Sequence, residues 1–374
     1  MMKRKNKLKV YVYAIAKNES KFVDRWVDSM SEADGIYVLV DGTTTDNTAE
    51  LLKKRKVHVE KKIIAPWRFD TARNESLKLV PKDADVCVCT DLDEILSHGW
   101  RDIVEQNWVK GETNQGLYKI WYNAEAKNET PNIANCLKMH DRNSFYWKWS
   151  IHEYIVQKDP DQKLNVVNLE GILLSHCPDL TKPRNYKKLL QEAVENDPDD
   201  IRYQQLLAEE YLNSNEFEEA KVIINNLIQN PKSVHPYDIA ISYKMLCLLT
   251  EKKGDFEKLR SSCYQALAKV SDCRWFYAEL GDVLINQFKD FSLGIAMMEK
   301  ALSIRNIVIT ARETEWQNEA RIYCDLSIAY FYLKNYNKAI ECIDLALEKN
   351  VNPSFVDTYL ANKKIYEDAL NNHK

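Results

Sequence analysis

The sequence predicts two folded parts in tandem, an α/β half followed by an all-α half built from helical repeats. Three observations carry this reading. Apolar strand-like runs alternate with helical periodicity up to about residue 108. Strand-like runs then follow one another to about residue 180. Beyond that point strand signals vanish and one pattern of large and small residues recurs. A length of 374 residues suits two domains, and a hydrophobic share of 45% is enough to fill two cores. The boundary is placed between 1–180 and 181–374. No Gly/Ser-rich linker separates the halves, so they are expected to pack together.

Val10–Ala16 is apolar and aromatic between polar flanks. It reads as a buried first strand rather than a secretory signal, because Lys17, Asn18 and Glu19 cut the run short. Phe22, Trp26 and Met30 recur at four-residue spacing, one face of a helix. Ile36–Val40 follows as a strand, Asp41–Thr45 as a turn, and Asp46–Lys54 as a helix capped by Thr45 or Asp46. A third strand is expected within Val57–Ile64, a helix over Phe69–Leu79 and a fourth strand over Asp85–Thr90. Such alternation implies a mostly parallel sheet covered on both faces. Leu117–Tyr122, Asn135–His140, Ile151–Val156 and Asn165–Ser175 then read as strands of a more antiparallel half.

In the second half, Leu207, Ala208, Tyr211, Phe217, Ala220 and Leu227 form a set that returns as Leu326, Ser327, Tyr330, Tyr336, Ala339 and Ala346. A third copy runs from Leu280-Gly281 through Phe291, Gly294 and Ala301 with one residue inserted, and a degenerate one occupies Tyr237 to Val270. The pattern resembles the tetratricopeptide repeat, in which small residues let paired helices approach and large ones fill the gap between neighbours. Ile307–Glu319 reads as an insertion and Phe355–Leu370 as a capping helix.

Composition excludes several classes of function. A net charge of −4 offers no basic field for nucleic acid. Charges interrupt every apolar run, so no membrane span is expected. Nine cysteines lack metal-ligand spacing, and Cys87 and Cys89 alternate with Val86 and Val88 as small hydrophobes. With no export signal, reduced thiols in a cytoplasmic protein are expected.

The strongest chemical signal is Asp91-Leu92-Asp93-Glu94, directly after the fourth strand. Ligand sites in open α/β sheets lie outside the carboxyl ends of strands. Two carboxylates one residue apart there need a cation, and Mg²⁺ or Mn²⁺ suits oxygen ligands shared with phosphates. The alternative is a plain solvated acidic turn.

Four stretches occur in order: Ala16-Lys17-Asn18-Glu19, Val40 to Thr48, Phe69-Asp70-Thr71-Ala72-Arg73-Asn74, and Asp91 to Glu94. Together they resemble the family 2 glycosyltransferases of the GT-A fold, over about residues 8–180. The resemblance implies that Asn18 and Glu19 line a nucleotide pocket and that Asp41 and Arg73 meet base and ribose, with Asp70 beside them. It implies that Asp91 and Asp93 hold the ribose and a metal bridging the diphosphate. Gly42 follows Asp41 at once, whereas the family places its turn glycine one residue later. For Asp46 the reading is helix-cap duty alone. Trp147 to Glu153 looks like the family's W-x-G-x-V-H-E segment, with Trp149 in place of the glycine. Glu153 beside His152 is then the base that would deprotonate an acceptor; the alternative is a surface His–Glu pair. His176 would lie near metal or diphosphate, or be structural. Arg142 would meet phosphate, or be solvated.

The resemblance implies a metal-dependent inverting glycosyltransferase using Mn²⁺ or Mg²⁺ and a nucleotide-sugar donor, with uridine as the base. The repeats point to a peptide or protein acceptor, and the layout is similar to bacterial peptide glycosyltransferases that modify bacteriocin precursors, some on cysteine. Three alternatives stand beside this: a surface-polysaccharide transferase, a non-catalytic repeat scaffold with a degenerate transferase half, and repeats that serve a homodimer.

Overall fold

The computed structural model describes residues 7–125, 132–179, 181, 186–230, 235–304, 319–350 and 353–372. The chain separates into two compact units, residues 1–184 and 185–374.

The first unit carries strands β1 (Val10–Ala16), β2 (Gly35–Asp41), β3 (His58–Lys62), β4 (Val86–Cys89), β5 (Glu94–Leu96), β6 (Gln115–Tyr122), β7 (Asn132–His140), β8 (Phe145–Lys148), β9 (Tyr154–Gln157) and β10 (Val166–His176). Its helices are α1 (Val23–Ser29), α2 (Thr48–Lys54), α3 (Phe69–Leu79) and α4 (Trp100–Asn107). Eight strands form one sheet in the order β3-β2-β1-β4-β7-β6-β10-β5, and β8 pairs with β9 apart from it. Only β7 and β5 run against the other six. The expected antiparallel half is therefore mixed, because β6 and β10 pair in parallel.

β1 and β4 are apolar on both faces because both faces are covered. On one side Val10, Val12, Val86 and Val88 pack with Trp26, Leu52, Trp100 and Val104. On the other, Tyr13, Cys87 and Cys89 pack with Leu77, Phe145 and Trp147. Three short elements had no clear sequence signal: β5, α4 and β8. The strand expected over Ile151–Val156 forms only at Tyr154–Gln157, since Trp149 and His152 take left-handed backbone (φ 77° and 50°) that breaks extension. Helix α2 starts at Thr48, where the Asp46 side chain accepts from the Thr48 N–H at 3.0 Å. Between Gly116↔Met139 and Tyr118↔Cys136 the register shifts, giving β7 one extra residue opposite β6. That bulge contains Lys138.

The second unit begins with α5 (Tyr186–Asn196) and continues as helix hairpins: α6 (Ile201–Asn213) with α7 (Phe217–Gln229), α8 (Pro236–Lys252) with α9 (Phe256–Lys269), α10 (Arg274–Asn286) with α11 (Phe291–Ser303), and α12 (Glu319–Tyr332) with α13 (Tyr336–Lys349). Helix α14 (Val356–Asn372) follows. The insertion expected at Ile307–Glu319 lies outside the described residues apart from Glu319. Each hairpin turns on one left-handed residue: Asn215, Gly254, Lys289 and Lys334. In the last three, Asp255, Asp290 and Asn335 then cap the returning helix with side-chain oxygens. Small residues lie where paired helices meet. A Cβ added at Gly294 would stand 2.4 Å from Ile285 Cγ1, and one at Gly281 2.8 Å from Met298 Cγ. The repeat spacing seen in the sequence thus has a packing cause.

Candidate functional site

The strand order places a topological switch point beside β1. From β1 the chain runs outward to β2 and β3, then returns to add β4 on the other side. At such a switch point the loops leaving the carboxyl ends part, and ligands bind there. Lys17 follows β1, Asp41 ends β2, Asp91 follows β4 and His176 ends β10, all at this edge.

Asp41 is buried, with 4% of its surface exposed. Its Oδ1 accepts from the Thr43 N–H at 2.9 Å, and Oδ2 pairs with Lys17 Nζ at 2.9 Å. Burial would raise this carboxyl, but the Thr43 amide and the Lys17 ammonium outweigh it and hold it below the usual range. Asn18 is partly exposed. Its Oδ1 accepts from Thr45 N–H at 2.8 Å, which fastens the end of β1 to the turn after β2. Glu19 N–H donates to Thr48 Oγ1 at 2.8 Å and fastens the same turn. Asp70 lies in the first turn of α3, accepting from Thr71 N–H and from Arg68.

Arg73 is the centre of the buried polar network. It is 4% exposed, and its guanidinium lies over the Trp147 ring at 4.9 Å. Nε donates to Glu153 Oε1 at 2.5 Å, and Nη2 to Asp91 at 2.8 Å and 3.2 Å. Asp91 is therefore held well below the carboxylate range: burial raises it, and Arg73 with Lys138 overrides burial. Lys138 Nζ lies 2.7 Å from Glu94 Oε1 and 3.6 Å from Asp91 Oδ2. Burial would lower this ammonium, yet Glu94 and Asp91 hold it protonated well above its ordinary range.

Asp93 points elsewhere. His176 Nε2 stands 3.4 Å from its Oδ2, and the buried Nδ1 of His176 has no hydrogen-bond partner among the described residues. Burial would lower the imidazole, but the Asp93 carboxylate outweighs it and raises it. The structure thus separates two residues expected to act together on a metal. Asp91 serves the chain's own cations, and Asp93 with His176 offers a carboxylate oxygen and an imidazole nitrogen. Among the described residues no group of three or more His, Cys, Asp or Glu side chains is arranged to hold a metal ion. The pair fits Mn²⁺ or Mg²⁺ only where phosphates and water fill the remaining positions.

Two expected residues fall away from this centre. Arg142 follows β7, which runs against β4, and so lies at the opposite edge of the sheet, where it reaches the Val80 carbonyl. His152 is exposed on its left-handed turn. Glu94 and Lys138 belong to the site without having been singled out in the sequence. The trace of Lys138 is a lone cation in a strand that buries Cys136, Met139 and His140.

No protein-family model and no curated protein matches the sequence. Several solved structures are similar to part of the chain. MamA is 17% identical at a TM-score of 0.36, over 44% of this chain and 85% of its own. A thermophilic TPR protein of Thermus thermophilus is 16% identical at 0.34, over 49% of this chain and 88% of its own. The TPR2B domain of yeast Sti1, solved as a complex with pHsp70, is 17% identical at 0.29, over 36% of this chain and 98% of its own.

These findings correct the expectation of a family 2 glycosyltransferase with a GT-A domain. Nothing matched by sequence supports it, and none of these structures is a transferase. The site gives a physical reason as well. Glu153, cast as the base, is 11% exposed and its Oε1 is already taken by Arg73 Nε at 2.5 Å, so that oxygen does not face an incoming acceptor. Neither a transferase activity nor an enzyme class is assigned. Among the described residues no helix is long and apolar enough to cross a membrane.

Proposed function

We propose that the chain is a non-catalytic binding protein in two parts. Its helical repeats take a polypeptide partner. Its α/β unit takes a nucleoside diphosphate together with one divalent cation, Mn²⁺ or Mg²⁺.

The ligand half rests on a charge count at the switch point. Asp91, Asp93, Glu94 and Glu153 supply four carboxylates against the two cations Arg73 and Lys138, so two negative charges remain uncompensated when His176 is neutral. One divalent ion cancels them, and the open side of Asp93 and His176 is where it would bind. When bound, the ion would attract a diphosphate, while Lys17 and Asp41 border the place left for the rest of the nucleotide. The partner half is supported by the stacked hairpins, since arrays of this kind present extended surfaces to polypeptides.

Calorimetry on the full chain tests the ligand half. Uridine and guanosine diphosphates should bind in the presence of Mn²⁺ and not in its absence. D93A and H176A should each weaken binding by about tenfold or more, a change of about 1.4 kcal/mol. Equal binding with and without the metal, or unchanged binding in both variants, would remove the cation from the reading.

A further inference from the structure

From the geometry we infer that Lys138 and Glu94 are a positioning pair for the ligand site, setting the backbone of the Asp91–Glu94 turn and through it the Asp91 and Asp93 carboxylates. The inference deepens the ligand-binding reading and rests on it.

Glu94 uses both carboxylate oxygens. Oε2 accepts the Asp91 N–H at 2.9 Å and Oε1 accepts from Lys138 Nζ at 2.7 Å, while the Glu94 N–H donates to the Asp91 carbonyl at 3.1 Å. Residues 91–94 are therefore closed into a ring by one buried side chain. The ring is fixed to β10 on its far side, where Cys177 N–H donates to the Asp93 carbonyl at 2.8 Å and His176 pairs with Glu94. Burial pushes the Glu94 carboxyl up, and the chief counterweight is the Lys138 ammonium rather than the turn's own amide. Lys138 comes from β7, next to β4 in the sheet, and lies in the bulge where β7 carries one extra residue. Bulges re-aim side chains, and here the result is an ammonium against Glu94, with Asp91 3.6 Å away. Without the ammonium, Glu94 would be a buried carboxylate with only the Asp91 amide as partner among the described residues. It would have to seek water, and the Asp91 amide would lose its acceptor.

The pair can be distinguished from a pool of charge by reading the order of the turn alongside binding, because loss of charge alone would not loosen residues 91–94. Uridine diphosphate with Mn²⁺ is the probe, read by calorimetry on the full chain, with K138M, K138R and E94Q compared against the parent. Loss of the Glu94 charge alone would also weaken binding, by weakening the divalent ion that draws the diphosphate, but it would leave the backbone of residues 91–94 as ordered as in the parent. With Glu94 as a positioning group, E94Q should weaken binding by about tenfold, as should K138M, while K138R stays within about threefold because the cation and its donors remain. A second readout needs no ligand. Hydrogen exchange of the peptide spanning 90–96 should quicken by about tenfold in K138M and E94Q, with exchange in β1 and β4 unchanged. Tighter binding by E94Q, or unchanged exchange at 90–96 in both variants, overturns the inference. Failure of the parent protein to bind uridine diphosphate overturns the proposed function instead, and the exchange measurement still decides the positioning role.

Discussion

Replacing Arg73 by methionine is the most direct test of the buried network. Methionine keeps much of the side-chain volume and packs against Trp147, so the change removes charge and five donors with little loss of contact. The two carboxylates left behind differ. Asp91 has 35% of its side chain exposed and retains Lys138 at 3.6 Å, so water and that ammonium share its charge. Glu153 has 11% exposed and no other ion-pair partner among the described residues. Breaking one side of a buried pair costs about 3–5 kcal/mol. With Asp91 partly relieved, the expected loss is near the lower end, about 3 kcal/mol. At a urea m-value of about 2 kcal/mol/M, the midpoint should fall by roughly 1.5 M. Tryptophan fluorescence is a suitable reporter, since Trp26, Trp67, Trp100, Trp108, Trp121, Trp147 and Trp149 all lie in the α/β unit. Removing the orphaned charge should restore stability, so R73M with E153Q should recover at least about 1 kcal/mol over R73M alone. A single variant within about 1 kcal/mol of the parent, or a double variant no more stable than the single, would refute the account of Arg73 as the counter-ion of Glu153.

His140 predicts an acid limit for the same unit. It is fully buried, with Nε2 2.7 Å from Tyr13 Oη and Nδ1 2.7 Å from the Asp141 carbonyl, and burial pushes its imidazole down to about 4. The folded value lies below the unfolded one, so its contribution is present above pH 6.5 and is lost as pH falls from there to about 4, by up to about 3 kcal/mol; H140Q should flatten the dependence of the melting midpoint on pH in that window, and an unaltered slope would exclude His140 as its source. In the repeats, G294A should destabilise by about 1–2 kcal/mol, because overpacking against Ile285 exceeds the helix-propensity gain of about 1 kcal/mol; a raised melting temperature would show that Ile285 yields freely.

Legibility followed the range over which each feature is decided. β1 formed with the bounds its apolar run gave, and α3 over Phe69–Leu79, because period and flanking polar residues are local signals. The repeat pattern was legible for a related reason: Ala208 and Ala220, or Ser327 and Ala339, mark helix contacts that recur along the chain. β5 has three residues, too few for any period, and exists because β10 offers an edge to pair with. The parallel pairing of β6 with β10 is likewise a choice made in three dimensions, with no counterpart in either strand's own residues.

The site shows the same division more sharply. Asp91 and Asp93 look equivalent in the sequence, one residue apart in an acidic triplet. A turn aims such neighbours differently, and here one meets Arg73 and Lys138 while the other meets His176. Whether a carboxylate is available to a metal thus depends on cations placed by α3 and by a bulge in β7, neither adjacent to it in the chain. The four matching stretches captured Asp91, Asp93, Glu94 and Arg73, but neither Glu153 nor the counter-charge of Lys138. The acidic motif together with Glu153, counted alone, suggests four free negative charges. Counted with Arg73 and Lys138 these carboxylates leave two when His176 is neutral, the charge that the proposed divalent ion would offset.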